Sequence, residues 1–278
     1  MPTGESLDDA RAGSTARQRG AERSGLFSDE RQDEILALIR QEKRVSVASL
    51  ADRFAVVGET IRRDLADLEQ RGLVRRVHGG AIAVERVVSE PPIEARHDLM
   101  RPEKERIALA ALAELPGEGS AFIEAGSTTW FLAGVLPADC HLTIVTNGGY
   151  IATALARHPG LTVLAVGGRV RPRSLACVDD WALETLSRLR VTVAFLGTNG
   201  ISLENGLTTP DPAEAAVKRA MLAIAEHTVL LADHSKIGVA SLLRYGDVSQ
   251  IHTLITDSGL PGRDARELQD GGLRVVRA

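Results

Sequence analysis

Two sets of residues in this chain have types and spacings suited to phosphate recognition. In the first, Glu59, Thr60, Arg62, Arg63 and Asp67 share the outward face of one amphipathic helical pattern, and Arg71, Arg75, Arg76 and His78 carry the positive charge onward. Arginine can grip guanine O6 and N7 with two hydrogen bonds or clamp a backbone phosphate, and Thr60 can reach a phosphate or a base edge. The plain alternative is a solvated helix with ordinary Arg/Glu pairs at helical spacing.

The second set recurs where an apolar β-rich run gives way to a helical one. Ala125-Gly126-Ser127-Thr128-Thr129 stands at such a junction, where backbone N–H groups at a helix start can hold an anion. Thr146-Asn147-Gly148-Gly149, Gly167-Gly168, Gly197-Thr198-Asn199-Gly200 and Asp233-His234-Ser235-Lys236 are polar at equivalent junctions. Lys236, after a buried strand, is the expected counter-charge for phosphate. Catalysis would need a base within reach of a substrate carbon. Glu124, Asp211 and Asp233 are candidates, but no nucleophile–base pair emerges, and His234 beside Ser235 is not thereby a triad. No cofactor and no metal ligand cluster is implied.

The elements that must position these residues follow from periodicity. Residues 1–25 lack aromatic residues and any sustained apolar period, which reads as a disordered, solvated tail. Ile35, Leu36, Leu38 and Ile39 predict a helix over 29–41 behind Ser28 as N-cap. Ser46 caps a short helix with Leu50, Ala51 and Phe54 inward, and Ile61, Leu65 and Leu68 define a third over 59–70, stopped by Gly72. Leu73–Val77 and Ala81–Val84 around Gly79-Gly80 predict a hairpin wing, closing an N-terminal unit over 26–85. A linker is expected over 86–97, with Pro91-Pro92 and no clear period.

From residue 98 to 278 helices and strands alternate. Short apolar runs at 121–123, 142–145, 161–166, 191–196, 228–232 and 252–256 alternate with amphipathic stretches at 101–115, 128–136, 149–157, 181–189 and 212–226. Buried strands between helices predict an α/β domain with a mostly parallel, doubly wound sheet, whose ligands sit at the carboxyl ends of its strands.

Bulk properties narrow the function classes. With 278 residues and 44% hydrophobic composition, one small and one large domain are expected. Two cysteines exclude a disulfide framework, and no apolar run is long enough to span a membrane, so a cytoplasmic protein with no membrane partner is expected. A net charge of −4 means that any attraction to DNA must come from a local patch.

The N-terminal pattern resembles a known family. Phe54-Ala55-Val56, Glu59-Thr60-Ile61-Arg62-Arg63-Asp64-Leu65, Leu68-Glu69, Gly72 and Arg76-Val77-His78-Gly79-Gly80-Ala81 look like the signature of the DeoR/GlpR transcriptional regulators. The resemblance implies a winged helix-turn-helix in which Arg62 and Arg63 are the principal DNA contacts, Thr60 helps, and Asp64 orients an arginine. Val57 departs from the usual serine, removing an N-cap oxygen worth about 0.5–2 kcal/mol. Residues 98–257 are similar to the family's sensor domain, which is related in fold to ribose-5-phosphate isomerase and binds phosphorylated sugars or similar intermediates. In those terms Glu124 stands where Asp is usual and Thr198 where a small residue is usual. Asp211, Glu214, Lys218 and Arg219 align with a helix whose Glu and Lys approach the pocket, although Glu214 with Lys218 also reads as a surface i,i+4 pair.

The resulting expectation is a repressor of a carbohydrate or related catabolic operon, released by a phosphorylated effector. Its DNA contacts are Thr60, Arg62, Arg63, Arg75, Arg76 and His78. Its effector contacts are Glu124, Gly126, Ser127, Thr128, Thr129, Asn147, Gly168, Asn199, Asp211, Glu214, Lys218 and Lys236. Reading repeated half-sites of operator DNA favours a homo-oligomer, dimer or tetramer. The rivals are a sugar-phosphate isomerase-like enzyme with an accessory DNA-binding domain, since one fold hosts many functions, and a constitutive DNA binder whose second domain only oligomerises.

Overall fold

The computed structural model describes residues 28–42, 44–70, 73–83 and 90–278, so the expectations for the tail, Arg71, Gly72 and residues 86–89 lie outside the described residues. The chain divides into two compact units, Met1–Glu85 and Arg86–Ala278.

In the N-terminal unit α1 (Ser28–Glu42) is followed by β1 (Arg44–Ser46), α2 (Val47–Phe54), α3 (Gly58–Gln70), β2 (Val74–Val77) and β3 (Gly80–Ala83). Ser28 is itself helical rather than a cap, and its hydroxyl donates to Asp64 Oδ1 at 3.4 Å. Ser46 caps α2 as expected, in a reciprocal box with Ser49. The apolar faces of the three helices meet in one small core of Ile35, Ile39, Leu50, Phe54, Ile61, Leu65 and Leu68, closed by Val45, Val74 and Ala81 from the strands. The hairpin β2–β3 is extended by β1, in the order β1-β3-β2. Because β1 crosses so closely, a Cβ at Gly80 would lie 2.0 Å from the Val45 carbonyl oxygen, so only glycine fits.

The C-terminal unit begins before the expected linker ends. Ile93–Asp98 forms a helix, α4, behind Pro92, and Ile93 and Glu90 are buried. This corrects the reading of 86–97 as patternless linker: an apolar anchor at Ile93 and a charge anchor at Glu90 fasten its second half to the unit. There follow α5 (Arg101–Ala111, continued as a 3-10 turn), β4 (Ser120–Ile123), α6 (Ser127–Gly134), β5 (Leu142–Thr146), α7 (Gly149–Leu155) and β6 (Leu161–Ala165). A short hairpin of β7 (Arg169–Val170) and β8 (Cys177–Val178) leads to α8 (Asp180–Ser187) and β9 (Val191–Leu196). Then come β10 (Gly200–Ser202), β11 (Gly206–Thr209), α9 (Pro212–Ile224), β12 (Ala225–Leu231), β13 (Leu243–Gly246), β14 (Thr253–Thr256), α10 (Gly262–Asp270) and β15 (Arg274–Arg277).

Seven strands form one parallel sheet in the order β15-β14-β12-β9-β4-β5-β6. Period-2 alternation divides its side chains between two cores. On β9, Val193 and Phe195 pack with α5, α6 and α7, whereas Ala194 and Leu196 pack with α8, α9 and α10. Both faces are thus covered by helices, which the near-continuous apolar runs required. The chain builds outward from β4 through β5 to β6, then returns to the other side of β4 as β9. The order reverses between β4 and β9, the kind of switch point at which open α/β sheets bind their ligands.

Candidate functional site

On the N-terminal unit, α3 presents Glu59, Arg62, Arg63 and Asp67 to solvent, with Thr60 half-buried. Arg62 Nη1 meets Glu59 Oε2 at 2.9 Å, an exposed i,i+3 pair that holds little energy and leaves the guanidinium available to an anion. Asp64 has the expected orienting role, but toward another helix. It is 2% exposed and takes Nε and Nη2 of Arg31 on α1 at 2.7 and 3.1 Å, which ties α3 to α1. Glu69 Oε1 accepts the backbone N–H of Arg76 at 2.8 Å and thereby fixes the wing against α3. Arg76 and His78 are exposed on the hairpin; the backbone of Arg75 pairs with Ile82 in β3.

The second site lies at the carboxyl ends of the parallel strands. Glu124 follows β4 and Gly197 follows β9, on either side of the switch point. Glu124 Oε2 accepts Gly197 N at 2.7 Å, while its Oε1 pairs with Lys218 Nζ from α9. The glutamate therefore bridges the ends of β4 and β9. Lys218 also donates to Gly197 O at 2.8 Å, and its ammonium lies 5.1 Å from the ring centre of Tyr245, whose hydroxyl donates to the same carbonyl. Burial opposes the charge on Lys218, but attraction to Glu124 outweighs it and holds the ammonium above its ordinary pKa. Burial pushes the Tyr245 phenol up to about 12. Lys218 and Glu214 are 5% and 7% exposed, so they are not a surface pair, and their partners come from other segments.

Glu214 and Asp211 meet at Arg171. The guanidinium reaches Asp211 Oδ2 through Nε at 3.1 Å, Glu214 Oε1 through Nη1 at 3.2 Å and Glu90 Oε2 through Nη2 at 2.6 Å. Asp211 is also the N-cap of α9, accepting Glu214 N at 3.0 Å. Thr209 Oγ1 lies within hydrogen-bond distance of both Asn199 Oδ1 and Glu214 Oε2, at 3.1 and 3.2 Å, and Ser174 donates to Glu214. Arg171, Glu90 and Ser174 escaped sequence reasoning because a two-residue strand and an irregular lead-in carry no periodic signal.

The loop after β4 opens α6. Gly126, its N-cap position, makes no side-chain capping bond, so the first-turn amides of α6 have no Asp or Ser cap. Thr129 donates to Gly126 O at 3.0 Å, which makes its hydroxyl a local brace, while Ser127 and Thr128 are buried in the first turn. Asn147 accepts Ala125 N at 2.8 Å and donates to Cys177 O at 3.3 Å, joining the loops after β4 and β5 to β8. Gly168 has φ +141°, and a Cβ there would lie 2.5 Å from Val178 O; hairpin packing accounts for the glycine. Thr198, placed to donate to Gly200 O at 2.8 Å, closes the turn into β10. Lys236 ends a 3-10 turn capped by Asp233, and the preceding His234 binds Asp257 at 2.7 Å through Nδ1. Strand order places the turns after β12, β9, β4 and β5 side by side along one sheet edge.

Known proteins resemble both units. The DeoR C terminal sensor domain matches residues 100–258, and the DeoR-like helix-turn-helix domain matches residues 31–87. The HTH-type transcriptional regulator GlpR of Haloferax volcanii is 36% identical, over 90% of this chain and 98% of its own. The glycerol-3-phosphate regulon repressor of Escherichia coli K12 is 32% identical, over 88% of this chain and 97% of its own. The transcriptional repressor AccR of Agrobacterium fabrum is 31% identical, over 84% and 90%. Among solved structures, ribose 5-phosphate isomerase A from Neisseria gonorrhoeae matches 50% of this chain and 54% of its own, with 19% identity and a TM-score of 0.37. A helix-turn-helix unit followed by a sensor unit, matched in order and nearly from end to end, places this chain in the DeoR family of DNA-binding transcriptional regulators.

Proposed function

We propose that the protein is a repressor that holds an operator through α3 and the wing and releases it when a phosphorylated sugar or polyol occupies the strand-end crevice. The observation that carries the sensing half is the switch point between β4 and β9. There the uncapped first turn of α6, Asn147 and the buried Glu124–Lys218 pair stand on the sheet edge that also holds the turn ending in Lys236. Backbone amides at a helix start suit a phosphate, and buried carboxylates and amides suit the hydroxyls that tell one sugar from another. A relative that is a glycerol-3-phosphate regulon repressor supports that ligand class. The DNA half rests on exposed Arg62 and Arg63, with Thr60 beside them and Arg75, Arg76 and His78 on the wing. Gly126, Ser127, Thr128, Gly168, Asn199, Asp211 and Glu214 form or support the crevice in this reading, which needs no cofactor and no turnover. The working unit is a cytoplasmic homo-oligomer on paired half-sites.

Ligand binding to the folded state alone raises apparent stability by RT ln(1 + [L]/Kd). Glycerol 3-phosphate, fructose 1-phosphate and related phosphosugars, each beside its dephosphorylated parent, are to be screened by thermal shift. A phosphorylated compound that raises Tm and releases operator DNA while its parent does neither is expected, with Lys236→Ala losing the shift and keeping DNA binding. Turnover of the compound would establish the enzyme instead, and equal stabilisation by the parent would remove the phosphate site.

A further inference from the structure

We infer that Val57 reads the C5 methyl group of a thymine in the operator. The inference rests on α3 being the reading helix. Val57 directly precedes α3 and is 70% exposed, the one large apolar side chain so placed among the described residues of the N-terminal unit. The backbone around it is well held. Val56 packs against the small core, a Cβ on Gly58 would already touch Val47 Cγ1 at 3.4 Å, and the Val57 carbonyl accepts Thr60 N at 3.0 Å. With Val56 turned toward the core and no side chain on Gly58 to cover it, the isopropyl group is left in water.

Residues at the start of a reading helix meet base edges in the major groove. Glu59, Arg62 and Arg63 can address donors, acceptors and phosphates there. The Val57 side chain has no donor or acceptor and so adds nothing to a phosphate or a guanine edge. The apolar feature that the major groove offers is the thymine methyl, which distinguishes T·A from every other pair. A serine here could cap the helix or bind phosphate; valine can do neither and offers only an apolar contact. Burying one methyl against an aliphatic group gives discrimination of about threefold to tenfold.

The test uses the full-length protein and an operator recovered from random duplexes selected on it. Each thymine is replaced in turn by deoxyuridine, which lacks only the methyl group. At one thymine per half-site the replacement is expected to weaken wild-type binding by about threefold to tenfold. Val57→Ser, at an exposed position that tolerates the change, is expected to lose that sensitivity, and Val57→Ile to keep it. The inference is overturned when no thymine responds to demethylation, or when Val57→Ser responds as strongly as wild type. An Arg62→Ala/Arg63→Ala double variant that keeps full operator affinity would remove α3 as the reading helix and the inference with it. Methyl-insensitive binding that still depends on those arginines would remove the inference alone.

Discussion

Lys104 shows what burial does to one charge. It lies on the inward face of α5 at 3% exposure, where its ammonium donates to the carbonyls of Arg96 and Leu99. Loss of water lowers its pKa to about 8; Asp233 resists the shift and Lys236 adds to it. A lysine whose folded pKa lies below its unfolded value binds fewer protons when folded, so stability rises with pH between the two values. The wild-type protein is therefore expected to gain up to about 3 kcal/mol between pH 8 and pH 10.5 relative to Lys104→Met. Urea titrations of both proteins across that range check it, and parallel curves would mean that Lys104 titrates normally. Asp257 behaves in the opposite sense. Burial raises its pKa, but donation from His234 and Gly259 outweighs this and leaves the carboxyl below its usual value. Its contribution is present above the ordinary aspartate pKa of about 4 and is lost as acid protonates it, a loss that Asp257→Asn is expected to abolish in acid-unfolding curves.

The β7–β8 hairpin and the Glu90–Asp98 lead-in have little core of their own, and charges fasten them. Arg171 holds Glu90, Asp211 and Glu214, Arg96 reaches Glu90 Oε1 at 3.3 Å, and Arg173 donates to the Glu90 carbonyl at 2.7 Å. Three carboxylates converge on one guanidinium whose planar fork serves all three. Arg171→Met leaves those acids without their shared cation and is expected to cost about 3–5 kcal/mol in urea unfolding. Arg171→Lys is expected to recover only part, because a single ammonium cannot replace donors spread along a rigid plane. A loss under about 1 kcal/mol would show that water and Arg96 suffice. Glu90→Gln, which keeps Arg171 paired with Asp211 and Glu214, is expected to be far milder.

Over the whole chain, two compact units with no shared core imply two cooperative transitions. The N-terminal core, built around Phe54, Ile61 and Leu65, is small, whereas the parallel sheet is buried on both faces. Small cores give marginal stability. Calorimetry on the full-length protein is expected to show the N-terminal unit melting first, with operator DNA raising that transition and the effector raising the later one. At a hundred times Kd a ligand adds about 2.7 kcal/mol to the unit it binds. A single transition shifted by either ligand would mean that the two units unfold as one.

Periodicity by itself determined the three N-terminal helices, the wing and the six parallel strands from β4 to β14. An apolar repeat of 3.6, or an unbroken β-branched run, encodes directly which face is buried. The residues of α3 and of the strand-end loops were legible too, since junctions between strand and helix are visible as changes of period. Elements too short to repeat an apolar pattern were not: β1 is three residues long, α4 spans less than two helical turns, and β15 is an edge strand whose Arg-Val-Val-Arg sequence leaves its side chains half-buried or exposed. Partnership also lay beyond the sequence. Glu214 and Lys218 have the spacing of a helix-surface pair, yet the fold buries both and gives Lys218 to Glu124 and Glu214 to Arg171. Spacing along the chain governs contacts within one helix. Which charges meet at the strand ends was decided by strand order, because reversal between β4 and β9 brings together side chains that no local rule connects.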